Sequence, residues 1–411
     1  MSLPLEGIRI VDMTIVIAGP VATQVLAALG AQVIKVEPPW GRTVGRVHSL
    51  PGVASTGKPY NAIPSFNEVN RGKWSISLNL QHPLGREAFL RLVSVSDVVI
   101  ENFSPRVLPN LGLDYPVLRQ YRPDIILISM PALGHTGPWR NYISFGPGTD
   151  ALAGLSSLTG YEGGQPHKPG NYYADQNSAV HTAFAVLTAL YRRRRTGKGA
   201  HLRIALREAT QAVIGEFFLE PQMTGRIPTR MGNRHPWMAP HGIYPCKGQD
   251  AWVAIACATD QQFRSLCALI GRPDLAQDPR CADSLSRKRH EALLDAPISA
   301  WTRQHSPQEA MDILQQAGVP AGAVFTIPQI LENDHWRSLG FVREVHHPEM
   351  GRALHPGLPW RATGLIPRDG EPAPLFAQHT SAVLGDLLGF SAETIAQMVA
   401  QKVAPAEPVG G

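Results

Sequence analysis

Residues 7–37 constrain the fold more tightly than any other stretch. Gly7-Ile-Arg-Ile-Val-Asp-Met-Thr14 is short and β-branched, which suits a buried strand. It runs into Ala18-Gly19-Pro20 and then an apolar segment from Val21 to Leu29, read as a helix with proline in the favoured first turn. Gly30 ends that helix, and Gln32-Val-Ile-Lys-Val-Glu37 follows as a second strand. Strand, glycine turn, helix and strand form a βαβ unit, and its two strands lie parallel.

The alternation continues. Strands are expected at Ile76–Leu80, Asp97–Asn102, Asp124–Met130 and Leu202–Ala205, separated by helices at Pro83–Val95, Pro105–Leu111, Tyr115–Tyr121, Ala151–Leu158 and Gln176–Arg195. Residues 39–70, rich in Gly, Pro, Ser and Asn, read as a long irregular loop of the kind that carries function. From about Thr224 the texture changes to a Pro- and His-bearing loop, antiparallel-looking strands and helices. One of those helices opens with the capping box Ser306-x-x-Glu309. The expected organisation is a large parallel-sheet α/β domain over 1–224, a smaller α+β domain over 225–325, and a return to the first domain over 326–411. The tail from Ala404 is expected to fray.

Composition narrows the function classes. With 44% hydrophobic and 17% charged residues the 411-residue chain has ample core for two domains. No apolar run reaches the ~18 residues of a membrane span, and no secretion signal opens the chain, so a cytoplasmic location with no membrane partner is expected. The four cysteines, Cys246, Cys257, Cys267 and Cys281, match neither a zinc pattern nor a disulfide framework, and no metal is expected. A net charge of +5 suits phosphate-bearing or carboxylate ligands. The dense run Arg192–Arg195 precedes Gly197 and complements a helix C-terminus, and no nucleic-acid motif accompanies it. No nucleic-acid partner is expected.

Candidate chemistry centres on Asp175. It stands where the loop Gly163–Gly170 gives way to a long, almost uncharged helix, where a carboxylate can cap free N–H groups and meet the positive end of the helix dipole. His135 lies in the turn Gly134-His-Thr-Gly-Pro138, at the carboxyl end of a strand. His235 and His241 flank a proline-interrupted loop whose spacing follows no known ligand pattern. Glu37 occupies the place of a ribose-binding acid, but the first turn, Ile17-Ala-Gly-Pro20, lacks the G-x-G-x-x-G of a dinucleotide site.

Taken together, the pieces resemble one family. Gly7–Asp12, Ala18-Gly-Pro20, Leu29–Pro38, Asn70-Arg-Gly-Lys73, Val98–Pro105, His135–Pro138, Arg195-Thr-Gly-Lys-Gly199 and Gly232-Asn-Arg-His-Pro236 are similar, in order and spacing, to the class III CoA-transferases. The resemblance spans about residues 5–390. It implies a Rossmann-like large domain, an interlocked homodimer (or a heteromer with a paralogue), coenzyme A as acyl-CoA substrate, and a small carboxylic acid as second substrate. It also places the catalytic aspartate at Asp175, attacking a thioester to form an anhydride and then an aspartyl-CoA thioester.

By position the family's CoA contacts fall on Val16, Ile17, Ala18, Leu78, Asn79, Leu80, Gln81, Asn102, Phe103 and Asn110. Three of these depart from the pattern: Ile17 replaces a glutamine, and Gln81 and Asn110 replace basic residues. Arg71, Lys73 and Arg106 are the substitutes expected to hold phosphates. Gly232 and Gly242 are expected to flank a flexible cover, although the family's glycine run is absent. The family also holds acyl-CoA racemases, which pair the aspartate with a histidine about thirty residues upstream. That position is Phe145 here, followed by Gly146, so the second base is missing. The Phe145–Gly154 stretch looks more like members that use succinyl-CoA with dicarboxylates or aryl acids. A non-catalytic CoA-binding subunit and a dinucleotide-dependent oxidoreductase are the other readings, opposed by Asp175 and by the missing glycine fingerprint respectively.

Overall fold

The computed structural model describes residues 3–42 and 58–409. Six short strands form one parallel sheet: β1 (Arg9–Asp12), β2 (Gln32–Glu37), β3 (Trp74–Ser77), β4 (Val98–Glu101), β5 (Ile126–Ser129) and β6 (Ala200–Arg203), in the order β3-β2-β1-β4-β5-β6. The chain turns outward in both directions from β1 and β4, a Rossmann-like winding. The residues of β1, β2, β4 and β5 are almost all buried because both sheet faces are covered.

Successive residues point to opposite faces. Ile10, Val33, Val98, Ile100, Ile126 and Ile128 pack with α1 (Ala18–Ala28) and the later helix Tyr173–Thr196. Val11, Ile34, Ile76, Val99 and Leu127 pack the other way. There they meet α3 (Pro83–Ser94), which follows α2 (Pro64–Val69), and α5 (Tyr115–Tyr121), which follows α4 (Val107–Asn110). Val403 and Ala404 are fully buried in this second layer, so the tail from Ala404 does not fray as expected.

Several boundaries differ from the sequence reading. Within 39–70, residues 43–57 lie outside the described ones, but Pro59–Asn61 forms a 3-10 turn and Pro64 starts α2, so this part is not irregular. The helix expected at 151–158 is two pieces, α6 (Gly146–Leu152) and α7 (Leu155–Leu158), broken at Gly154, whose φ of +96° ends the first. α8 (Tyr173–Thr196) ends at Gly197 in the left-handed conformation, as the Arg-Thr-Gly pattern predicts. After β6 come two helices, α9 (Leu206–Ala212) and α10 (Glu216–Thr224).

The chain divides into two compact units. The larger comprises 1–156, 168–226 and 334–411, and includes the hairpin Val342–His347 with Gly351–Pro356. The smaller comprises 157–167 and 227–333. Its antiparallel sheet is β7 (His241–Pro245), β8 (Trp252–Ala256) and β9 (Ala321–Ala323). Phe263, Leu266, Ile298 and Leu314 pack around it with all four cysteines, which are free and buried. The expected capping box forms: the Glu309 N–H donates to Ser306 Oγ at 3.3 Å, and the Ser306 N–H donates to Glu309 Oε2 at 2.8 Å. Among the described residues no helix is long and apolar enough to cross a membrane.

Candidate active site

In an open parallel sheet, ligands bind beyond the carboxyl ends of the strands, where the strand order reverses. Here that point lies between β1 and β4. The chain leaving β1 is tightly held. Asp12, fully buried, accepts from the Thr14 N–H (2.8 Å), Thr14 Oγ1 (2.5 Å), Thr23 Oγ1 (2.7 Å) and Lys73 Nζ (3.0 Å). Burial alone would raise the Asp12 carboxyl, but Lys35, Lys73 and these hydrogen bonds outweigh it and keep it well below the usual carboxylate range. Asn102 clamps the next residue on both sides, accepting from the Ile15 N–H and donating to the Ile15 carbonyl, each at 2.8 Å. Between these fixed points Val16 takes φ +65°, a left-handed conformation that a β-branched residue adopts only under local constraint. Gly19 is required beside it, because a Cβ there would lie 2.3 Å from Thr14.

Beside this loop lies a mainly apolar cleft of about 340 Å³, bounded by Met13, Ile15, Val36, Glu37, Pro38, Trp40, Leu78, Leu80, Gln81, Phe103, Val107, Asn110 and Leu111. Of the residues singled out in the sequence, Leu78, Leu80, Gln81, Phe103 and Asn110 come together here. Val16 lines a smaller neighbouring recess with Lys35 and Glu37. Ile17 and Ala18 open α1, and Ala18 is buried. Asn79 braces the segment, its Oδ1 accepting from the Gln81 N–H at 3.1 Å. Asn102 acts as the clamp described above, and Arg106 is exposed at the start of α4. Trp40, Met13 and Val107 escaped the sequence reading. The exposed Trp40 after Pro38-Pro39 is the one signal that could have found the cleft, since a large exposed aromatic beside a strand end suits a flat ring.

Two expected phosphate ligands are used elsewhere. The buried Lys73 Nζ lies within 3.0 Å of Asp12 Oδ2, the Pro20 carbonyl, Thr23 Oγ1 and Asn70 Oδ1, which occupies every N–H it has. Arg71 donates to the carbonyls of Asp369 and Pro356, both at 2.6 Å, and is likewise buried. Each matches a motif position, but both cations are held by buried acceptors of the protein itself. Gly242 is no hinge either, because it sits within β7 opposite Ile255. His235 and His241 lie 5.2 Å apart, centroid to centroid, and among the described residues no group of three His, Cys, Asp or Glu could hold a metal ion.

β5 and β6 are parallel, so α8, which leads into β6, runs back along the sheet and starts at its carboxyl edge. Asp175 lies in the first turn of α8 but is not its N-cap. The N-cap is Tyr172, which makes no side-chain cap, and Asp175 is the third helical residue. The capping oxygen comes from α6: Asp150 Oδ1 accepts from the Ala174 N–H at 2.9 Å. Asp175 is 7% exposed, and its carboxylate rests against Gly146, where a Cβ would lie 2.1 Å from Oδ2. Burial, and then the nearby charge of Asp150, push the Asp175 carboxyl up to about 6. Phe145 is an exposed phenyl at the N-cap of α6. His135 packs against His201 at 5.7 Å, and burial lowers it. A buried, partly destabilised carboxylate at a helix N-terminus has the features of a nucleophile or of a base.

The comparisons with known proteins agree with this geometry. The profile of CoA-transferase family III matches residues 5–380. The succinyl-CoA–D-citramalate CoA-transferase of Chloroflexus aurantiacus is 32% identical over 410 residues, covering 97% of this chain and 98% of its own. The acetyl-CoA:oxalate CoA-transferase of Acetobacter aceti is 35% identical over 329 residues, covering 79% and 82%. Among solved structures, a CaiB/BaiF family protein from Brucella suis superposes with a TM-score of 0.85 at 31% identity, covering 94% of this chain and 100% of that one. A parallel sheet wound outward from β1 and β4, an apolar cleft at its switch point, a buried carboxylate opening the crossover helix, and a match along nearly the whole length lead to one conclusion: this enzyme belongs to CoA-transferase family III.

Proposed function

We propose that the protein moves coenzyme A from an acyl-CoA to a dicarboxylic acid, with Asp175 as the nucleophile. The observation that carries this reading is a buried carboxylate relieved of capping duty by Asp150 and raised to about 6, which makes it ionised and poorly solvated at neutral pH. Asp175 attacks the thioester carbonyl, the C–S bond breaks, and an aspartyl anhydride and CoA thiolate result. The thiolate attacks the aspartyl carbonyl, giving an aspartyl-CoA thioester and releasing the donor acid. The acceptor carboxylate attacks that thioester, and the thiolate then attacks the acceptor's acyl carbon, which restores Asp175. The positive end of α8 faces the developing negative charge.

The cleft holding Leu78, Leu80, Gln81, Phe103 and Asn110 is the seat proposed for the CoA nucleotide, with Trp40 against the base and Arg106 toward the phosphates. Val16, Ile17 and Ala18 present backbone from the strained loop, and Asn79 and Asn102 hold the two sides in place. Two relatives named for D-citramalate and oxalate support a dicarboxylate acceptor, and the first supports succinyl-CoA as donor. Racemisation would need a second base, and Phe145 stands at the position where it is expected. Asp175→Ala should abolish transfer while CoA affinity stays within about threefold. Hydroxylamine added during turnover should convert Asp175, and no other carboxylate, to a hydroxamate visible by peptide mass spectrometry. Full activity in the alanine variant would overturn the reading.

A further inference from the structure

Asp150 is only 1% exposed, and its two oxygens meet different fates. Oδ1 accepts from the Ala174 N–H, while Oδ2 is buried with no hydrogen-bond partner among the described residues. An orphaned carboxylate oxygen inside a protein is costly unless function retains it. The elements packed on α8 bring few other charges to this point. α1 has no titratable residue, and α6 contributes only Asp150. α9 brings Arg207 and Glu208, which pair with each other at 3.3 Å, and the segment before α8 adds Lys168, Tyr172 and Tyr173. Asp150 and Asp175 therefore stand as two carboxylates at one helix end, with Gly146 leaving the space that Asp175 fills.

We propose that Asp150 is a positioning residue of the transfer reaction: it caps α8 in place of Asp175, and its charge beside Asp175 keeps that carboxylate reactive. The proposal rests on Asp175 being the nucleophile. A carboxylate at the start of a helix ordinarily turns back to the free N–H groups of the first turn, where it is stabilised and made a weaker nucleophile. Because Asp150 takes the Ala174 N–H, Asp175 is left to lie against Gly146. Asp150 itself is raised by its burial, and the first-turn N–H groups of Ala174 and Tyr173 partly offset that. Two coupled acids of this kind titrate as a pair, so a change in one is read in the other.

The test separates cap from charge. Asp150→Asn keeps an oxygen at Oδ1 and removes the charge, Asp150→Ser keeps a shorter uncharged acceptor, and Asp150→Ala removes both. Each is compared with wild type and Asp175→Ala in isotope exchange between an acyl-CoA and its own labelled acid. Succinyl-CoA and acetyl-CoA are both run, and the faster pair for wild type is used. The ionised Asp175 is the active form, and the charge of Asp150 raises its pKa. Removing that charge should therefore move the acid limb of kcat/KM to lower pH by about half a unit or more, with an unchanged melting temperature and kcat lower by about tenfold or more. Asp150→Ser should shift the limb the same way, which covers the case of an asparagine variant that does not fold. Asp150→Ala should add a loss of thermal stability. An unmoved acid limb and wild-type kcat in a folded Asn or Ser variant, with Asp175→Ala inactive, would overturn the inference and leave the nucleophile in place. Full activity of Asp175→Ala would remove both.

Discussion

At the scale of single residues, the same kinds of side chain have been given opposite work. Asp12 and Asp175 are both buried acids of the large unit. Asp12 is surrounded by two lysines and two hydroxyls and stays ionised, so it is structural. Asp175 has burial and a like charge around it and is raised to about 6. The sign follows directly. Activity that needs the ionised form should be full above about pH 7 and fall below about pH 6, where an unperturbed aspartate would hold it to about pH 4. A pH–rate profile of kcat/KM with its acid limb near 4 would contradict this. Lys73 provides the converse case. Replacing it with methionine leaves Asp12 buried with one fewer cation, and should cost about 3–5 kcal/mol in denaturant unfolding. The folded fraction should bind CoA within about threefold of wild type, whereas a phosphate ligand would show the reverse split.

At the scale of elements, the carboxyl-edge loops depend on parts far away in the chain. Val403 accepts from the Asn79 N–H at 2.7 Å, and the Val409 N–H donates to the Pro39 carbonyl at 2.9 Å. Glu407 pairs with Lys58 at 2.5 Å, and Pro408 packs against Gly41. The terminal segment therefore joins both sides of the cleft that Trp40, Leu80 and Gln81 line. Ending the chain after Ala404 preserves the buried Met398, Val403 and Ala404 but releases the 39–41 side. Isothermal titration should then show CoA binding weakened by about tenfold, a loss of ~1.4 kcal/mol, with the far-UV spectrum unchanged. Wild-type affinity in the truncated protein would show that the segment has no such role.

At the scale of the whole molecule, α8 has an unexpected outer face. Val180, Phe184, Leu187 and Tyr191 recur at helical spacing and are exposed, Phe184 by 71%. A monomer seldom leaves such a stripe uncovered, and the proposed occupant is a second copy of this chain, in keeping with the interlocked homodimer that the family resemblance implies. Sedimentation velocity should find a dimer for wild type and mostly monomer for Phe184→Glu, since a charge at the centre of an apolar interface costs several kcal/mol. A wild-type monomer at micromolar concentration would refute the assignment.

The sequence by itself determined the parallel α/β architecture, because buried parallel strands must be apolar runs and their crossovers must be helices. Gly7–Glu37 showed that period without any tertiary information. It also determined the end of α8 at Gly197 and the capping box at Ser306, where the chemistry lies within four residues of itself. Motif order was enough to reach the family and to single out Asp175. The partners of each charge were decided only by the fold. Lys73 and Arg71 look like phosphate ligands until Asp12, Asn70 and carbonyls 285 or more positions away along the chain take their donors. Asp175 reads as a cap until Asp150, on a separate helix, supplies the oxygen. Periodicity is a property of the backbone and is written along the chain. Hydrogen-bond partners and burial are properties of the space that folding closes, and these set the ionisation of Asp175.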